Sequence, residues 1–158
     1  MEEKKIKLGK EKISDKIDIN FVLEGLKINP EIIHYTDFVF DKEIIDYANL
    51  YNVKTFIAFN IVIFEDEINK FLKEIDNIYI SGASGIIIQD FAFIDLIKAN
   101  YPDLEVHCST QMNVANLDGI KLVEALGSNR VVVPREMKFE QIKYIKENTN
   151  MPLEVFGH

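Results

Sequence analysis

From residue 37 onward the chain repeats one unit: apolar residues at helical spacing, then a short β-branched run, then a polar pair. Lys42 to Asn52 carries Ile44, Ile45, Ala48 and Tyr51 on one helical face, with Asp41 placed to cap it, and the run Val53 to Phe59 follows and ends at Asn60. A second helix is predicted from Glu65 to Ile80, with Gly82 as its C-terminal cap, before the strand Gly85 to Ile88, which ends at Gln89-Asp90. The unit then recurs. Helices are predicted at Phe91–Ala99, Asn116–Leu126 and Phe139–Glu147, and strands at Leu104–Cys108, Arg130–Val133 and Leu153–Phe156. Short connections and uninterrupted apolar strands indicate parallel strands covered by helices. The fold class is therefore α/β.

Two architectures fit this alternation, an open doubly wound sheet and part of a (β/α) barrel. A nucleotide-binding open sheet carries its glycine-rich turn after the first strand. Here the glycine-dense segment Ser81-Gly82-Ala83-Ser84-Gly85 precedes a strand, at the wrong end for phosphate. The expectation is a partial TIM-type (β/α) barrel with parallel strands over residues 37–158, preceded by a poorly defined N-terminal segment, 1–36. Within that segment Glu31 to Tyr35 is a candidate first strand, and Ser14 or Asp18 a candidate cap for a short helix before it. With 158 residues the chain is shorter than the roughly 250 of a closed barrel. It stops at His158 directly after a strand, so the barrel is expected to be completed by a second copy or by another chain.

A net charge of −8 removes any chain-wide basic footprint, so DNA is not an expected partner. Residues 1–16 hold six lysines and four acids, which reads as a solvated leader. No apolar run reaches the roughly 18 residues of a membrane span, and no signal-peptide pattern opens the chain; a cytoplasmic address is expected. The single Cys108 excludes an internal disulfide framework.

In parallel α/β folds ligands meet the carboxyl ends of the strands. Polar groups stand at each of those ends: Asn60; Gln89 and Asp90; His107, Ser109 and Gln111; Arg135 and Glu136; Glu154 and His158. His107 and Cys108 are strand neighbours, so their side chains point to opposite faces and form no nucleophile–base pair. Cys108 reads as a buried packing thiol. Glu154, an acid inside an apolar strand, reads either as the ion-pair partner of Arg135 or as a carboxylate with a shifted pKa working as acid or base. No metal-binding spacing such as His-x-x-x-His or Cys-x-x-Cys occurs.

Three ordered motifs carry a resemblance. His107-Cys108-Ser109-Thr110-Gln111-Met112-Asn113-Val114-Ala115-Asn116, Gly127 to Glu136, and Leu153-Glu154-Val155-Phe156-Gly157-His158 resemble the collagenase-like peptidase family U32. The resemblance implies a barrel-like α/β domain and a hydrolase of the protease or collagenase kind, acting on peptide. As an alternative it implies part of an iron–sulfur-dependent protein that hydroxylates RNA or a quinone ring. A non-catalytic scaffold or partner subunit is a further alternative. Carried over by motif, the catalytic candidates are Glu154, Arg135, Glu136 and His107. The substrate-binding candidates are Asn60, Gln89, Asp90, Ser109, Gln111 and His158. The family's Glu-x-Phe-x-His stretch runs on into a cysteine-containing segment, and its domain opens with a Pro-Ala-Gly turn. This sequence shows neither, so no cofactor is expected in this chain, an iron–sulfur cluster belongs to longer members, and the chain alone is expected to be inactive.

Overall fold

A computed structural model describes residues 7–8, 11–12, 32–35 and 42–157. Two short strands, β1 (Lys7–Leu8) and β2 (Glu11–Lys12), pair antiparallel. The remainder is a six-stranded sheet. Its strands are β3 (Ile32–Tyr35), β4 (Lys54–Phe59), β5 (Gly85–Ile88), β6 (Glu105–Cys108), β7 (Arg130–Val132) and β8 (Leu153–Glu154). The helices are α1 (Lys42–Leu50), α2 (Ile68–Ile80), α3 (Ala92–Asn100), α4 (Leu117–Ala125) and α5 (Phe139–Glu147).

Every neighbouring pair in the large sheet is parallel, and the spatial order β3-β4-β5-β6-β7-β8 is the chain order. A doubly wound sheet reverses that order at a switch point; a barrel wall does not. Among the described residues β3 and β8 do not pair with each other, so the wall is open, as the sequence reading expects of a partial barrel.

Each predicted strand and helix within residues 42–157 is present, with ends shifted by a few residues. β8 stops at Glu154 instead of continuing to Phe156, and β7 stops at Val132. The second helix starts with a 3-10 turn at Glu65–Glu67 before α2. The candidate first strand is realised as Ile32–Tyr35, parallel to β4. The caps proposed at Ser14, Asp18 and Asp41 lie outside the described residues.

Local chemistry accounts for the ends of the helices. The Asn116 side-chain oxygen accepts the Gly119 N–H at 2.8 Å and opens α4. Gly82 and Gly127 follow α2 and α4 with φ of 81° and 102°, a region that costs other residues a steric penalty.

Side-chain alternation divides the sheet into two faces. Ile57, Phe59, Ile86, Ile88, Val106, Cys108, Val131 and Val133 form the main core with Ile75, Ile94, Ile97, Ile120 and Ile145 of the helices. Burying each such aliphatic side chain contributes about 1.5–3 kcal/mol before entropy is counted. The opposite, inner face carries Lys54, Phe56, Gly85, Ile87, Glu105, His107, Arg130, Val132 and Glu154 in register across β4 to β8. That face holds ionisable groups where a closed barrel is usually filled by branched apolar layers.

Candidate functional site

The carboxyl ends of β5, β6 and β7 border an open cleft of about 490 Å³ lined by Gln89, Thr110, Gln111, Asn113, Arg135 and Glu136. Gln89 leaves β5 directly. After β6, the Ser109 hydroxyl oxygen accepts the Gln111 N–H at 3.2 Å and starts the 3-10 turn Thr110–Met112. That turn ends at Asn113, whose φ of 55° is left-handed and whose Nδ2 donates to the Gln111 carbonyl at 3.2 Å. Asparagine tolerates this region better than most residues. Beyond β7, the Arg135 guanidinium lies 4.3 Å from the centre of the Phe156 ring, a cation–π contact.

Not all the sequence-predicted residues meet here. Gln89, Gln111, Arg135 and Glu136 line the cleft. Asn60, after β4, is half-buried and does not line it. Asp90 is adjacent, and its carboxylate accepts the Ala92 N–H at 3.0 Å, supporting the start of α3. Ser109 is buried and braces the turn. His158 lies outside the described residues. Thr110 and Asn113 were not singled out by sequence reading; their signal was position alone, in the turn that follows the strand bearing His107.

His107 and Glu154 sit lower, on the inner face. His107 is 0% exposed, and its Nε2 lies 3.0 Å from Glu105 Oε2. Lys54 Nζ reaches the other Glu105 oxygen at 2.6 Å. The imidazole stacks on Phe56, with ring centres 4.2 Å apart, and its Nδ1 is buried without a hydrogen-bond partner among the described residues. Burial holds the His107 pKa below its usual value, against the hydrogen bond to Glu105, while the Arg130 charge pushes the same way as burial. For Glu105 burial raises the pKa, but the hydrogen bonds from Lys54 and His107 outweigh it and the net shift is downward.

Glu154 is paired, but the ion-pair partner expected for it, Arg135, is corrected by the structure. Arg130 Nη1 lies 3.2 Å from Glu154 Oε2. The reason is parity: Val132 is in register with Glu154, and Arg130, two residues earlier, shares its face. Arg135 stands beyond the end of β7 and takes Phe156 instead. Lys54, Glu105, Phe56 and Arg130 are not among the sequence-predicted site residues, most of which stand at strand ends; the alternation that places His107 and Glu154 inward places these four on the same face.

As expected, Cys108 is a packing thiol. It is buried in the helix-side core, with Sγ 3.2 Å from the Ser128 hydroxyl. Burial pushes its pKa up to about 11, although the Ser128 hydrogen bond acts the other way. A lone thiol facing away from the cleft does not fit an iron–sulfur cluster. Among the described residues no group of three or more His, Cys, Asp or Glu is arranged to hold a metal ion. No described helix is long and apolar enough to cross a membrane.

A parallel α/β wall with a polar cleft across its strand ends defines a protein of the (β/α)-barrel class. The family model for peptidase family U32 matches residues 40–158, and the chain belongs to that family. It is 28% identical over 116 residues to the 23S rRNA 5-hydroxycytidine synthase of Escherichia coli (strain K12), covering 73% of this chain and 17% of that protein. It is 26% identical over 115 residues to tRNA hydroxylation protein P of the same organism, covering 72% and 25%. It is 32% identical over 95 residues to a collagenase of Porphyromonas gingivalis, covering 60% and 22%. The chain thus spans about a quarter or less of these relatives. Among solved structures it is similar to a U32 peptidase, with a TM-score of 0.66 at 16% identity, over 84% of this chain and 64% of that one. Thiamine phosphate pyrophosphorylase from Pyrococcus furiosus matches with a TM-score of 0.59 at 16% identity, over 90% and 69%. These likenesses show the fold.

Proposed function

We propose that this chain supplies the substrate-holding face of an RNA-hydroxylation protein rather than the centre of a peptidase. The observation that carries this reading is the make-up of the cleft: three side-chain amides, a threonine, one arginine and one glutamate. Hydrolysis by a protein nucleophile needs a hydroxyl or thiol with a base in hydrogen-bond reach. Among the described residues, the Thr110 hydroxyl donates to the Val133 carbonyl at 3.5 Å, Ser109 is occupied with the turn, Cys108 faces the helices, and His107 is bonded to Glu105. Amide side chains instead offer paired donors and acceptors, the groups that read the edge of an unpaired base. Relatives named for rRNA and tRNA hydroxylation support the same reading.

In this reading the chain binds and orients substrate, while the oxidising chemistry belongs to parts of a longer assembly. The open wall, with Val155 exposed beside β8, supports a second copy or another chain completing the barrel. A cytoplasmic setting, where RNA is the substrate, follows from the same reading.

The test is a paired assay on the purified chain, with single-stranded RNA binding measured beside gelatin and casein cleavage. Saturable RNA binding without cleavage is expected. Cleavage that disappears in the Glu154→Gln variant would overturn the proposal in favour of the peptidase.

A further inference from the structure

The charge and geometry of the cleft say how such a substrate is held, an inference that rests on the RNA reading above. A protein that grips RNA by its phosphates needs clustered Lys and Arg. The cleft has one cation, Arg135, beside one anion, Glu136, so its formal charge cancels, and the whole chain carries −8. Its remaining polar atoms are neutral. Gln89, Gln111 and Asn113 each present a carbonyl oxygen and an NH₂ group, which match the mixed donor–acceptor edge of a nucleobase and gain little from a phosphate's acceptors alone.

A flat surface borders these amides, the Arg135 guanidinium. It lies over the Phe156 ring, 4.3 Å from the ring centre. Aromatic and guanidinium planes are the surfaces on which unstacked bases rest. Asn113 adds the most specific element. Its left-handed backbone and the bond from Nδ2 to the Gln111 carbonyl fix the amide within the cleft lining.

We propose that the cleft recognises a single unstacked nucleobase through its hydrogen-bonding edge, with Gln89, Gln111 and Asn113 reading the edge and Arg135 on Phe156 covering the face. Phosphate contributes little to this recognition. A free nucleoside is therefore sufficient as ligand, and binding is nearly independent of salt.

The experiment is calorimetric titration of the chain with the four ribonucleosides, their 5′-monophosphates and a short single-stranded oligonucleotide, at about 50 and about 500 mM salt. At least one nucleoside is expected to bind, its monophosphate within about twofold of it, with less than about a twofold change between the two salts. Asn113→Gly keeps the left-handed backbone and removes the amide. It is expected to weaken binding about tenfold, the worth of one well-made hydrogen bond, with an unchanged Tm. Gln111→Ala, at an exposed side chain, is expected to weaken binding without touching the fold. Oligonucleotide or monophosphate binding that is steep in salt, with no nucleoside binding, overturns base-edge recognition but leaves the RNA reading standing. No binding of any of these ligands overturns both.

Discussion

The ring of Phe56 on β4 stacks on the imidazole of His107 on β6 at 4.2 Å, although β5 runs between those strands. The contact exists because the intervening inner-face residue is Gly85. A Cβ built there would lie against the Glu105 carbonyl oxygen, 2.8 Å from Glu105 Cβ and 2.8 Å from Phe56 Cε1. Lys54 crosses the same gap to reach Glu105.

Gly85→Ala is therefore expected to destabilise the chain by about 2 kcal/mol or more, because the clash is with backbone that cannot swing aside. Urea unfolding followed by circular dichroism measures it. A change under about 0.5 kcal/mol would mean that the gap over β5 is not needed.

Acid should weaken the fold through the same cluster. The folded-state pKa of His107 is depressed, so below the ordinary imidazole value the unfolded chain binds the extra proton first. Stability is then level above about pH 6.5 and falls as pH drops below it, with a slope of at most ~1.4 kcal/mol per pH unit from this residue. Glu105, also depressed, adds loss at lower pH as its carboxylate is protonated. Unfolding curves between pH 8 and pH 5 should show this decline, and His107→Gln should flatten it. Equal slopes in both proteins would remove His107 as the cause.

The Arg130–Glu154 pair is about a third exposed on each side, so its coupling is expected to be modest, about 1 kcal/mol or less. A double-mutant cycle with Arg130→Met and Glu154→Gln measures it, and the matching cycle between Arg135 and Glu154 should give none. Coupling in the second cycle and not the first would contradict the inner-face pairing.

The contrast between these two arginines shows what the sequence holds and where it stops. Periodicity located the strands and helices because each apolar run obeys one spacing, and the Gly82 cap was readable because a left-handed end favours glycine. Chain-end polarity found Gln89, Gln111, Arg135 and Glu136 because strand ends share one rim of the wall. The partner of Glu154 was not readable from spacing alone, since it depends on the register between β7 and β8, which tertiary packing sets. The Phe56–His107 stack depends likewise on a missing side chain on a third strand. Asn113 hid within a motif because its part comes from backbone conformation.

Cys108 should resist thiol reagents in the folded chain, since the thiolate is scarce when the pKa stands near 11 and the sulfur is 0% exposed. Disulfide-exchange labelling at pH 8 is expected to proceed only as fast as the chain opens, and to become complete in denaturant. Rapid stoichiometric labelling of the native protein would contradict the buried placement.

The central claim is that substrate meets the protein at the strand-end cleft. Nuclear magnetic resonance titration of the isotope-labelled chain with a short single-stranded RNA tests it most directly, read at the side-chain amides of Gln89, Gln111 and Asn113. The account predicts saturable shifts at these three amides and at Arg135, and in Asn113→Gly the remaining shifts saturate at about tenfold higher RNA concentration. Shifts confined to the helical surface, or none at saturating RNA, would contradict it.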